Sequence, residues 1–383
     1  MRQTRDELVI SGTSQNRRYG WPGLLLLLAV PQLLLAQTQP RPTPGKLAPG
    51  LQTAAAQRSA QTVRVSVTDN AAFQQWARQH LPAARVSQPS ASARTLEVAG
   101  LDAAALARLA ASPWVDFVDV ADRRAREERR LSNSDLSVNA IAAVHARFPA
   151  LAGQGLTVSV KEQPFDPTDL DFRGRVASAG TFPGPPSDHA TAMTTLLGGA
   201  GNTDPLGRGV AAEVRLATSD FGRLLPDDGQ QLTQAGVSVQ NHSSGVAIEN
   251  YYGVEAQEYD RHCRQFPALV HVFSSGNAGA QASPAGPYQG LAGVANLTGQ
   301  FKMSKNTLSV GATGPSGQVS ALSSRGPAHD GRVKPELVAY GEGGSSESAA
   351  RVSGISVLLQ QAYRDQRGAL PPAALVKAVL LNS

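Results

Sequence analysis

The chain has 383 residues, 41% of them apolar and 17% charged, with 37 glycines and 25 prolines. That suits one large, well-buried α/β enzyme domain plus a small domain. The net charge of +5 comes from 35 basic and 30 acidic residues and gathers before residue 60 and in the arginine-rich run 123–130; with no basic-aromatic stripe elsewhere, a nucleic-acid partner is the weaker reading.

Cys263 is the single cysteine, which excludes an intramolecular disulfide without arguing against export. It reads either as a reactive thiol or as a small buried residue.

The amino terminus carries a localisation signal. Arg17 and Arg18 precede an apolar run at 24–30, then Pro31, a second short run, and Ala36. A basic flank, a short apolar core and a small residue at its end make a signal peptide over residues 1–36. The expected location is therefore extracellular or periplasmic, with the membrane involved only in export. A membrane-tethered form is the alternative. Residues 37–61, rich in Gln, Pro, Thr and Ala, read as a linker.

Residues 62–121 alternate between short strands and helices in the order β-α-β-β-α-β, a split βαβ unit. Val63, Val65 and Val67 mark the first strand. Phe73, Trp76 and Leu81 mark a helix over 70–80. Short strands at 84–86 and 95–98, a helix at 101–111 and a strand at 114–120 complete the set. Residues 122–134 open with a charged run, helical in pattern and without an apolar face, which reads as an exposed connector where processing occurs. From 135 to 383 strands and helices alternate: helices at 138–148, 191–197, 349–363 and 373–381, and strands at 156–160, 214–217, 237–241, 269–274 and 307–312. This pattern predicts a mostly parallel sheet covered on both faces, a three-layer α/β domain.

Four blocks in this second part carry chemistry. Thr157-Val158-Ser159-Val160-Lys161-Glu162 places an acid at the carboxyl end of a strand. His189-Ala190-Thr191 opens a helix. Ser274-Ser275-Gly276-Asn277 makes a turn after a strand, and Gly344-Ser345-Ser346-Glu347-Ser348 precedes a helix. Acyl transfer needs a hydroxyl nucleophile, a base to take its proton, an acid to orient the base, and a donor for the oxyanion. Parallel sheets place such groups in the loops at the carboxyl ends of their strands.

The blocks, in this order, resemble the subtilisin-like serine proteases, the subtilase family, over roughly 153–383. Ser323-Ser324-Arg325-Gly326-Pro327 followed by Lys334-Pro335-Glu336 is the most specific part of the match. The resemblance implies a serine endopeptidase acting on proteins or peptides, with Ser346 as nucleophile, His189 as base and Asn277 in the oxyanion hole. Ser243, Ser244 and Gly245, with Ser274, Ser275 and Gly276, match the segments that hold an extended substrate. The split βαβ unit resembles the family's inhibitor-type propeptide, an intramolecular inhibitor. No cofactor is certain; structural calcium is common in the family, but no dense Asp run locates a site here.

Two departures stand out. The family's Asp-Thr-Gly is here Glu162-Gln163-Pro164, so the orienting acid is a glutamate, with Asp166 and Asp169 as competitors and Lys161 as a possible surface partner. The serine stands in Gly-Ser-Ser-Glu-Ser rather than Gly-Thr-Ser-Met-Ala, a short distance after Gly341. These departures support a second reading, a secreted pseudoprotease that keeps the fold for binding or adhesion.

Overall fold

The computed structural model describes residues 45–52, 61–88, 94–121, 123, 126–127, 135–177 and 184–383. The expected signal peptide, most of the linker and most of the connector lie outside the described residues.

The small domain consists of β1 (Gln61–Val67), α1 (Asn70–His80), β2 (Arg85–Ser87), β3 (Thr95–Leu101), α2 (Ala103–Ala111) and β4 (Val115–Val120). The four strands form an antiparallel sheet in the order β2-β3-β1-β4. Each helix starts on an aspartate: Asp69 accepts from Ala72 N–H and Asp102 from Ala105 N–H. Along β1, Val63, Val65 and Val67 enter the domain's own core with Phe73, Leu106 and Leu109. The alternate residues Arg64 and Ser66 are buried as well, because their face meets the large domain. The linker reading needs one correction. Leu51 packs into this core, and Leu47 bridges to Val118.

After β5 (Arg126–Glu127) and α3 (Ile141–Arg147), the large domain builds on β6 (Thr157–Glu162), α4 (Asp188–Gly198), β7 (Arg215–Asp220), α5 (Gly229–Gln234), β8 (Val237–His242) and β9 (Ser244–Gly245). It continues through α6 (Val254–Gln265), β10 (Val270–Ser274), β11 (Leu308–Thr313), β12 (Leu337–Tyr340), α7 (Ser345–Arg367) and α8 (Ala373–Leu381). Six strands form one parallel sheet in the order β12-β11-β10-β8-β6-β7. Alternation along β10 shows the layering. Val272 packs with Val352 and Val357 of α7 and with Met193 of α4. Its neighbour Phe273 packs on the opposite face with Tyr259 of α6. The domain is thus the expected three-layer α/β arrangement. Gly354 lets α7 press on the preceding layer, since a Cβ there would stand 2.5 Å from Val210 Cβ. None of the helices among the described residues is long and apolar enough to cross a membrane.

Three histidines form a buried chain through the α6 side of the sheet. His242 Nε2 meets His271 Nδ1 at 3.1 Å, and His271 Nε2 meets His262 Nδ1 at 2.9 Å. His242 also stacks on Phe273, centroids 4.1 Å apart. Burial holds all three imidazoles below their usual range, His262 at about 4, with Lys161 adding repulsion. They are neutral in the fold, whereas an unfolded chain protonates them below about pH 6.5. Their contribution is therefore complete above pH 6.5 and is lost as pH falls from there toward 4. For His262 alone the loss is about 3 kcal/mol. Thermal unfolding between pH 7.5 and 4.5 should show the midpoint dropping across that window; a level midpoint would exclude this account.

Candidate active site

The acid and the base come from adjacent parts of the fold. β6 ends on Glu162, which is fully buried. α4 begins one residue before His189, and its cap, Ser187, accepts from the N–H groups of His189 and Ala190. These two placements put Glu162 Oε2 2.7 Å from His189 Nδ1. The second oxygen, Oε1, accepts from Asn241 Nδ2 at 3.3 Å. Lys161 is not the partner of Glu162: it points to the other face and pairs with Asp227 at 2.5 Å. Asp166 and Asp169 serve turns instead. Asp166 accepts from the Thr168 hydroxyl and N–H, bonds that hold its carboxyl below the usual range, and Asp169 accepts from Asp171 N–H.

The serine is positioned by a tight connection. Only residues 341–344 separate β12 from α7. Two glycines make that possible. A Cβ on Gly341 would stand 2.3 Å from Ser348 Oγ, and one on Gly344, at φ +121°, 2.5 Å from the Asn277 amide. Ser346 then lies in the first turn of α7, where exposed N–H groups and the helix dipole favour developing negative charge. Its hydroxyl donates to the Ser243 carbonyl at 3.1 Å, and the Ser243 hydroxyl donates back to the Ser346 carbonyl at 2.9 Å. Asn241 ties this pair to the acid. Its Nδ2 also donates to Ser243 Oγ at 3.0 Å, while Ser353 Oγ donates to its Oδ1 at 2.9 Å.

Asn277 is held by Ser345, whose N–H and hydroxyl both donate to Asn277 Oδ1, at 2.9 and 3.1 Å. The Ser345 hydroxyl also accepts from Gly276 N–H at 2.9 Å. Ser345 is thus the anchor of the Gly276-Asn277 turn. Gly276 is obligatory, because a Cβ there would meet Thr298 Oγ1 at 2.3 Å.

The connector departs from its helical, exposed reading. Arg126 and Glu127 form β5, an extended strand paired antiparallel with β9 in the register Arg126 to Gly245 and Glu127 to Ser244. Upstream, Arg123 is half-buried rather than exposed. It pairs with Glu249 at 2.6 Å and with Glu255, which also pairs with Arg64 at 2.9 Å. Asp119 completes this cluster, accepting from the Tyr251 hydroxyl at 3.0 Å and from Val254 N–H at 3.3 Å. Burial and the nearby Glu255 push Asp119 up to about 7.

Cys263 takes the inert reading. Burial, with Asp260 nearby, pushes its thiol up to about 12. Among the described residues, no three His, Cys, Asp or Glu side chains gather as a metal site.

A profile of the Subtilase family matches residues 153–383, more than half of the chain. The chain belongs to the subtilase family. It is accordingly a serine-type hydrolase. Solved structures share the fold of this subtilase at low identity. Fervidolysin from Fervidobacterium pennivorans, a keratinolytic enzyme related to subtilisin, aligns over 83% of this chain and 57% of its own, with 15% identity and a TM-score of 0.56. The epidermin leader peptide processing serine protease EpiP from Staphylococcus aureus aligns over 81% of this chain and 90% of its own, with 14% identity and a TM-score of 0.52. No curated protein matches the chain.

Proposed function

We propose that this subtilase is a secreted serine endopeptidase working through an acyl-enzyme, with residues 62–121 as its own inhibitor. The observation that carries the catalytic reading is the 2.7 Å contact between the buried Glu162 carboxylate and His189 Nδ1. It leaves the imidazole's other nitrogen, Nε2, as the base.

For attack, the Ser346 hydroxyl exchanges its bond to the Ser243 carbonyl for one to His189. Its proton passes to Nε2 as Oγ bonds to the substrate carbonyl carbon. The oxygen that becomes negative accepts from the Asn277 amide. His189 then gives the proton to the departing amine as the C–N bond breaks, leaving an ester on Ser346. Water adds to the ester, its proton going to Nε2, and the acid product leaves as Oγ regains a proton. Glu162 remains ionised throughout and stabilises the imidazolium. The glutamate carboxylate reaches Nδ1 with its additional methylene in place, and Asn241 steadies its other oxygen.

The inhibitor reading draws on β5, which lies on β9 as an extended peptide would, with main-chain pairing giving sequence-tolerant affinity. The secreted reading draws on the basic-apolar-small order of residues 1–36. A serine-directed organophosphonate tests the central claim. The processed protein should be labelled, with the adduct on the peptide containing Ser346. An unlabelled protein would be a scaffold that keeps the fold for binding, and an adduct on Ser345, Ser348 or Ser324 would move the nucleophile.

A further inference from the structure

The arginine that leads into β5 is seated in a fork of two large-domain carboxylates. Arg123 Nη1 donates to both oxygens of Glu249, at 2.7 and 2.6 Å, and Nη2 donates to Glu255. Neither acid takes its place from the small domain. Glu249 N–H donates to the Leu297 carbonyl at 3.1 Å, and Glu249 Oε2 accepts from Gln300 N–H at 2.8 Å. Glu255 stands in the first turn of α6. With the small domain docked, Glu255 is fully buried. Its Oε1 accepts from Arg64 and Arg123, and its Oε2 has no hydrogen bond among the described residues. Asp119, the third acid of the cluster, belongs to β4, and Arg64 to β1. Departure of the small domain therefore takes away Asp119 and both arginines and leaves two positioned carboxylates.

These carboxylates lie along the path of an extended peptide. β5 runs antiparallel to β9 with Arg126 opposite Gly245, so upstream residues of the paired strand advance past Gly245 toward Glu249. Arg123 stands three residues before Arg126, and Glu249 four after Gly245. In the other direction, a peptide residue opposite Ser243, whose carbonyl accepts from Ser346 Oγ, falls two places after the one opposite Gly245. An arginine in the position of Arg123 is thus five residues before the one whose carbonyl is attacked. The donor pattern suits arginine above lysine, because separate nitrogens of one planar guanidinium reach the two acids, whereas an ammonium offers a single point charge.

We propose that Glu249 and Glu255, once the small domain has left, form a distal subsite that selects substrates with an arginine five residues upstream of the acyl-side residue. The selection rests on the peptidase and inhibitor readings above and adds to them a substrate feature remote from the reacting atoms. A contact made equally before and during reaction strengthens binding without altering the chemical step, so its effect belongs in KM.

The test uses the full chain after self-processing to constant activity, with a peptide cut at one place and carrying Arg, Lys, Gln or Glu at the upstream position. The expected kcat/KM for Arg exceeds that for Gln by about 30-fold, chiefly through KM, with Lys between them and Glu below Gln. Moving the arginine halfway to the cut should abolish the advantage. Glu249→Gln and Glu255→Gln should each lower it several-fold, and the two together should make the Arg and Gln peptides equal, with kcat on the Gln peptide unchanged. Equal wild-type rates on Arg and Gln peptides would overturn the proposal, as would a loss in the variants shared by all four peptides. If the variants fail to accumulate, the wild-type profile and the moved arginine decide the matter. Phosphonate labelling and cleavage without an upstream preference sink this inference and spare the peptidase reading. No labelling and no cleavage of any peptide overturns both.

Discussion

Glu162→Gln is expected to lower turnover by about ten-thousand-fold while leaving the protein folded. The amide keeps the size of the side chain and one hydrogen bond to His189, but it removes the negative charge that stabilises the imidazolium formed during attack. It also permits the wrong imidazole tautomer, and losing an orienting acid in an intact triad carries a cost of that order. Glu162→Asp should be much milder, because it keeps the charge and shortens the arm by one methylene. Asp166→Asn and Asp169→Asn serve as controls, since both carboxylates end in turn hydrogen bonds away from His189. The measurement is the turnover number of each purified variant, with phosphonate reactivity scored beside it. Near-normal turnover for Glu162→Gln together with collapse in either control would transfer the orienting role.

Ser346→Ala should remove turnover altogether, by about a million-fold, which is the scale seen when a nucleophile of this kind is deleted. It should also arrest the proposed maturation, so that the chain keeps residues 62–121. The substitution takes away one hydroxyl whose bond goes to the Ser243 carbonyl, leaving the reciprocal Ser243 hydroxyl bond to the Ser346 carbonyl in place. The variant should therefore melt close to wild type. Residual peptidase activity, the mass of the purified product and its melting curve check the three parts. A processed, active Ser346→Ala protein would move the nucleophile to another serine.

The parts of this architecture legible in the sequence are those written in local patterns. The alternation of Val63, Val65 and Val67, the apolar spacing of α1 and α2, and the glycine-flanked blocks around Asn277 and Ser346 each reflect a constraint confined to a few neighbouring residues. Helix α6 was not legible for the opposite reason. Its polar residues Glu255, Glu258 and Asp260 are buried, two of them by contacts with the distant Arg64 and Thr95. Hydrophobic periodicity is blind to a face covered by charge pairing across domains. Asn241 escaped notice as a support for Glu162 because its partners sit 79 and 112 residues away. Arg123 was read as an exposed charge because nothing local shows that Glu249 and Glu255 await it.

The ion-paired position of Arg123 separates two events that maturation would otherwise merge. Any cut downstream of Glu127 leaves Arg123 on the small-domain side, with its ion pairs to Glu249 and Glu255 and the neighbouring Arg64 bridge unchanged. Severing the chain thus releases no part of that contact; it turns a covalent attachment into a tight complex of two pieces. The lag between the first cut and the appearance of activity would then be set by how long the clamp survives, through dissociation or further digestion of the small domain. For such a precursor, the degree of cleavage and the degree of activity are different clocks.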